Sequence, residues 1–311
     1  MSRIHEALRR AEQEETMPAV QSMEEPVALP GPPDTQVMTA AYADNEASAM
    51  GEVGPGMEGI LQRCSRPAWH PNREKMLFFD SGAQQTAERN QAAEQFRTLR
   101  SRLYHARQKQ ALQKLLVASA LPGEGKTFVA ANLAQVLVQQ KGRRALLIDA
   151  DLRRPSLHVC LGAPPSPGLT DYLCGEADEA SVLQRGPMEN LFFIPGGKAV
   201  ENPAELAGNG RLNTLLAGLS SSFDWIVIDS PAAVPFSDAS LLANACDSVL
   251  IVVDAHATPF DVAQKTVQEL RSKPLLGVAL NGVAGKDLAS QYKYGKYYYG
   301  YKPGNREAKG S

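Results

Sequence analysis

The sequence predicts an α/β fold: a mostly parallel, doubly wound sheet, preceded by a disordered linker and followed by a tyrosine-rich tail. Three observations lead there. Short apolar runs alternate with helix-periodic segments between residues 115 and 280. The runs are continuous rather than alternating, as in VLIVV at 249–253, which marks strands buried on both faces. A glycine-rich turn joins the first run to an apolar helix, as a strand–loop–helix unit of a layered sheet requires.

Residues 2–15 read as a short helix, with Ser2 as its cap and Ile4, Ala7, Leu8 and Ala11 forming a narrow stripe. A helix this short is marginal alone, so it is either a frayed tail or a docking element. From Met17 to about Asn72, Pro, Glu, Met, Ala and Gly dominate without apolar periodicity, as in LPGPPDT at 29–35. That composition describes a flexible linker. The expected domains are therefore a helix at 1–15, a linker at 16–75, a catalytic domain at 76–288 and a tail at 289–311.

Order is expected to resume at MLFF, residues 76–79. A helix follows over 84–106, with Ala92, Phe96, Leu99 and Leu103 on one face. Strands are expected at 115–120, 145–149, 191–194, 225–229, 249–253 and 276–280. Between them run helices at 126–140, near 238–246 and at 259–271. Asn202 reads as a helix cap, Pro203 as the first helical position and Glu205 as the partner in a capping box. Leu212, Leu215, Leu216 and Leu219 mark a further amphipathic helix.

The 311 residues carry 32 Lys and Arg against 34 Asp and Glu, a balance that gives no electrostatic footprint for nucleic acid. The four cysteines form no C-x-x-C pair, so a disulfide framework, zinc or iron–sulfur clusters are not expected. No apolar segment reaches the ~20 residues of a membrane span, and the first residues lack a signal-peptide core, so a cytoplasmic protein is expected.

The turn LPGEGKT at 121–127 matches the phosphate-binding loop G-x-x-x-x-G-K-[ST], with Ala120 in place of the first glycine. Gly123 and Gly125 let backbone N–H groups close on phosphate oxygens. The start of the next helix favours an anion. Lys126 brings a point charge and Thr127 a hydroxyl for Mg²⁺. Pro122, Glu124 and Phe128 complete the segment expected to contact nucleotide. This is the P-loop NTPase type of sheet, with ATP and Mg²⁺ as ligands. Asp149 and Asp151 close the run LLID at 146–149, and Asp229 closes IVID at 226–229. In open α/β sheets, ligands bind at such strand ends.

In that order, ASALPGEGKT at 118–127, LLIDADLR at 146–153 and IVIDSP at 226–231 resemble the Walker A, Walker A′ and Walker B motifs of the bacterial tyrosine kinases. NPAEL at 202–206 is also similar to a pattern of that family, and the resemblance covers residues 76–303. It implies a soluble autokinase of capsule and exopolysaccharide synthesis. Lys126, Asp149, Asp151 and Asp229 would be its catalytic set, with Thr127 and the three aspartates holding Mg²⁺. Either Asp149 or Asp151 would be the base, and Asn281 would contact adenine. EQFRTLR at 94–100 is similar to the family's ring-assembly segment, making Glu94, Arg97 and Arg100 subunit contacts; taken alone it is a salt-bridged surface helix. Six of the nine tyrosines, Tyr292, Tyr294, Tyr297, Tyr298, Tyr299 and Tyr301, resemble the family's autophosphorylated cluster.

The implied partners are further copies in a homo-oligomeric ring, a membrane-bound polysaccharide co-polymerase or chain-length-determinant activator at the inner face of the membrane, and a cognate tyrosine phosphatase. Ala232 and Asp254 depart from the family pattern. Two alternatives stand beside the kinase: a partition- or septum-positioning ATPase, which usually carries an extra lysine where this chain has Leu121, and a nucleotide-binding scaffold of polysaccharide export.

Overall fold

The structure, a computed structural model, describes residues 55–79, 86–234 and 238–283. Among them a seven-stranded sheet has the order β3-β4-β2-β5-β1-β6-β7. The strands are β1 (Lys114–Ser119), β2 (Ala145–Asp149), β3 (Gln184–Arg185), β4 (Leu191–Ile194), β5 (Trp225–Asp229), β6 (Ser248–Asp254) and β7 (Leu275–Asn281). All pair in parallel except the two-residue β3, which runs antiparallel to β4.

Strand residues alternate between two cores, as the two-residue period of a strand dictates. Leu116, Ala118, Leu146, Ile148, Ile226 and Ile228 belong to one. Leu115, Val117, Leu147, Trp225 and Val227 belong to the other. Both faces of β1, β2, β4 and β5 are covered, which explains their unbroken apolar runs, whereas the edge strand β7 leaves Leu275, Val278 and Leu280 exposed.

The helices are α1 (Pro55–Arg63), α2 (Ala87–Lys109), α3 (Lys126–Val138), α4 (Leu157–Leu161), α5 (Leu169–Cys174), α6 (Glu179–Val182), α7 (Pro203–Gly208), α8 (Arg211–Ser220), α9 (Asp238–Asn244) and α10 (Phe260–Glu269). In α8 the four leucines expected on one face are all buried. In α3 every residue from Val129 to Val138 is buried, Asn132 and Gln135 included.

Four expectations need correcting. The linker does not extend to residue 75. Residues 55–63 form α1, and Leu61, Cys64, Trp69 and Met76 are buried. This arm bonds main chain to main chain with several loops: Ser65 N–H with Leu183 O at 3.2 Å, His70 N–H with Gly162 O at 2.9 Å, and Asn72 N–H with Cys160 O at 3.0 Å. Asn132 and Gln135 then accept the N–H groups of Leu77 and Phe78 at 2.8 and 3.3 Å. The extended part of the arm after α1, satisfied in this way, needs no apolar period, so composition concealed it.

Helix α2 begins at Ala87, where Thr86 caps it, and it buries Ala93 rather than Ala92. Its apolar face is sparse. Arginines fasten it instead, Arg100 to Val136 O at 3.0 Å and Arg107 to Asp224 O at 2.8 Å. Asn202 does precede α7 with Pro203 in its first turn, but the Asn202 side chain makes no capping bond, so the capping box is not formed. Helix α3 stops at Val138, two residues early.

Candidate active site

Strands β1, β2 and β5 are neighbours, so their C-terminal ends deliver the three sequence motifs to one place. The register sets Asp149 directly beside Asp229 across the β2–β5 pair. Beyond β1, the loop turns through Gly123 (φ 89°) and Gly125 (φ 91°), left-handed conformations that a side chain would strain. Gly125 is the N-cap of α3. Helix α3 therefore starts with its free N–H groups and positive dipole end facing the loop.

Lys126 and Thr127 open that helix and reach the two other strands. Lys126 Nζ lies 3.3 Å from Asp151 Oδ2. The Thr127 hydroxyl donates to Asp229 Oδ2 at 2.7 Å. Asp149 is tied inward: its Oδ2 accepts the N–H groups of Ser156 and Leu157, both at 2.9 Å, and its Oδ1 accepts that of Asp151 at 3.2 Å.

Electrostatics follow from burial. Removal from water pushes Asp149 up to about 8, and the neighbouring Asp229 charge adds to that, while the N–H bonds from Leu157 and Ser156 oppose it. Asp229 rises to about 6 through burial, held back by Lys126 and Thr127. Burial lowers the pKa of Lys126, but Asp229, Asp151 and Asp149 outweigh it, and the net shift is upward.

The donor set fits Mg²⁺. Asp229 Oδ1 is buried with no hydrogen-bond partner. The Thr127 hydroxyl and the Asp229 carboxylate are the hard oxygen donors this ion takes, with the Lys126 ammonium 3.5 Å from Thr127 Oγ1. Among the described residues, no three His, Cys, Asp or Glu side chains converge tightly enough to hold an ion alone.

The remaining predicted residues separate. Glu124 is buried and Asn281 Nδ2 donates to its carbonyl at 3.0 Å, so Asn281 does reach the loop. Pro122 is exposed beside it. The Phe128 ring packs on Phe96, with centroids 5.8 Å apart, and its carbonyl accepts from Asn132 Nδ2 at 2.9 Å. Glu94 and Arg97 pair with each other on the surface of α2. The six tail tyrosines and the helix at 2–15 lie outside the described residues.

Sequence reasoning missed Asp238. It is 3% exposed and takes Arg153 in a two-pronged ion pair, Nε–Oδ2 2.6 Å and Nη2–Oδ1 3.2 Å, bracing the loop after β2 against α9. An Asp opening a helix gave no hint of that partner.

Comparison with known proteins agrees with this geometry. Residues 113–272 match the model of a family described as an AAA domain. Over 212 residues the chain is 34% identical to the tyrosine-protein kinase YwqD of Bacillus subtilis (strain 168), spanning 68% of this chain and 87% of that one. The chain belongs to the bacterial tyrosine kinases. It is also 32% identical to the tyrosine-protein kinase wzc of Salmonella typhimurium, but there it spans only 29% of the relative's length. Among solved structures, the kinase domain of Escherichia coli tyrosine kinase ETK superposes with a TM-score of 0.59 at 30% identity, covering 63% of this chain and 77% of that one. No helix among the described residues of this kinase is long and apolar enough to cross a membrane.

Proposed function

We propose that this kinase transfers the γ-phosphoryl group of ATP to tyrosines 292, 294, 297, 298, 299 and 301 in the tail of a neighbouring copy, and so regulates exopolysaccharide or capsule synthesis and export. The observation that carries the proposal is the convergence of Lys126–Asp151 and Thr127–Asp229 at the mouth of the phosphate loop. The triphosphate binds along 122–128, on N–H groups at the start of α3. Thr127 and Asp229 would hold Mg²⁺, with Asp149 and Asp151 beside them, and the ion would supply charge neutralisation on the phosphates.

Lys126 leaves Asp151 for the incoming phosphate, which frees Asp151 Oδ2. A tyrosine hydroxyl, pKa about 10, needs a base. Asp151 serves better than Asp149, because both Asp149 oxygens already accept main-chain N–H groups. The phenol oxygen attacks the γ-phosphorus and its proton passes to Asp151. The bond to the β-phosphate oxygen breaks, and ADP leaves.

Glu94, Arg97 and Arg100 are proposed to form part of the contact between copies in a ring. Exposure of the Glu94–Arg97 pair supports this, whereas Arg100 is already engaged with Val136 of its own chain. A membrane-bound polysaccharide co-polymerase is the proposed activator and recruits the kinase to the inner face of the membrane; a tyrosine phosphatase removes the phosphates by hydrolysis, restoring the tyrosines and releasing inorganic phosphate. Radiolabelled ATP and Mg²⁺ test the proposal. Label on the tail that Lys126→Met removes supports it, and nucleotide binding without label in the presence of the activator points to a scaffold instead.

A further inference from the structure

The loop between β6 and α10 is tied to the phosphate loop by a circuit of hydrogen bonds. Glu124 sits between the two left-handed glycines with only 3% of its surface exposed. Its Oε2 accepts the Leu121 N–H at 2.6 Å, closing the loop on itself. Its Oε1 accepts the hydroxyl of Thr258. That hydroxyl in turn accepts the N–H of Asp254, the last residue of β6, at 3.1 Å. Asp254 Oδ1 fixes the turn by accepting the N–H groups of His256 and Ala257 at 2.8 and 3.0 Å. Across on β7, the Asn281 carbonyl accepts the Ala255 N–H at 2.9 Å, and Asn281 Nδ2 returns to the Glu124 carbonyl at 3.0 Å.

A carboxylate inside an anion-binding loop opposes the charge of a phosphate, and burial without donors adds to the cost. Its presence is intelligible as a strut. Two donors from opposite sides fix its oxygens, and with them the peptide between Gly123 and Gly125. We infer that Thr258, outside all three nucleotide motifs, is a positioning residue for ATP: by donating to Glu124 it holds the phosphate loop in its binding conformation. The inference rests on the reading of this site as an ATP site.

The test uses the full chain, its Thr258→Val and Thr258→Ser variants, titration with a fluorescent ATP analogue, and phosphorylation rates against ATP concentration. Valine keeps the shape and leaves Glu124 Oε1 unpaired, which should raise Kd and KM for ATP about tenfold while kcat stays within about threefold. Serine keeps the donor and should stay within about twofold of the parent. Unchanged Kd and KM in the valine variant would overturn the role of Thr258. A fall in kcat alone, an equal loss in the serine variant, or loss of the fold in place of affinity would do so too. An unaltered chain that binds no ATP would overturn the reading of the site itself, which is a separate result.

Discussion

The Thr127 hydroxyl donates to Asp229 Oδ2 at 2.7 Å, while the second oxygen of that carboxylate is buried and has no hydrogen-bond partner. A buried acceptor left open in this way costs free energy unless something polar completes it. On the present account Mg²⁺ does so. Asp229→Asn should therefore reduce phosphorylation by about 100-fold or more, as removal of a key electrostatic group does. Thr127→Val should instead shift the Mg²⁺ concentration needed for half-maximal rate upward by about tenfold, since it removes one hydroxyl ligand. Rates over a Mg²⁺ titration distinguish the two.

The base assignment is separable from binding. Asp151→Asn should lower kcat by about 10² to 10⁴ while leaving the Kd for ATP within a few-fold. Single-turnover kinetics with a pre-bound nucleotide checks this. A Kd that rises in step with the fall in rate would make Asp151 a ligand rather than a base.

Titration of the buried carboxylates fixes a pH dependence. Asp149 and Asp229 are raised to about 8 and about 6 in the fold, against about 4 in an unfolded chain. Between these values the native state holds protons that the unfolded chain has lost. Their contribution to stability is complete below about pH 4 and disappears as pH rises through 6 and then 8. The nucleotide-free protein should thus lose melting temperature from pH 5 to 8.5, and Asp149→Asn should flatten that slope. Affinity for Mg²⁺-ATP should strengthen over the same interval, because cation and proton compete. Melting curves at several pH values, with and without Mg²⁺-ATP, measure both.

What the sequence made legible were features with local causes. Continuous apolar runs located β2, β4 and β5 to the residue, because strands buried on both faces leave no polar position before their C-terminal ends, where Asp149 and Asp229 stand. The phosphate loop and Asp229 were legible because one strand end needs one residue type. Long-range polar contacts were hidden. Nothing near Asn132 or Gln135 announces that their amides receive Leu77 and Phe78, and nothing near Thr258 points 134 positions back to Glu124. The arm at 55–75 was misread as linker because its order comes from contacts it does not encode alone.

That arm is open to a stability test. Trp69 is 7% exposed, and its ring meets Phe193 edge-on at 5.8 Å. Trp69→Ala should cost about 3 kcal/mol, in the range of large-to-small core changes. For a unit of this size the melting temperature should fall by roughly 6–12 °C. An unchanged melting temperature would show that the arm does not contribute to the fold. Scanning calorimetry on the full chain is sufficient.

The central claim is tested most directly by mass spectrometry of the C-terminal peptide after purified protein has been incubated with ATP and Mg²⁺, with the activator's cytoplasmic segment added. The account predicts phosphate on tyrosines between 292 and 301, and none in Lys126→Met. ATP hydrolysis with an unmodified tail in the presence of that segment, or tail phosphate that persists in Lys126→Met, would contradict it.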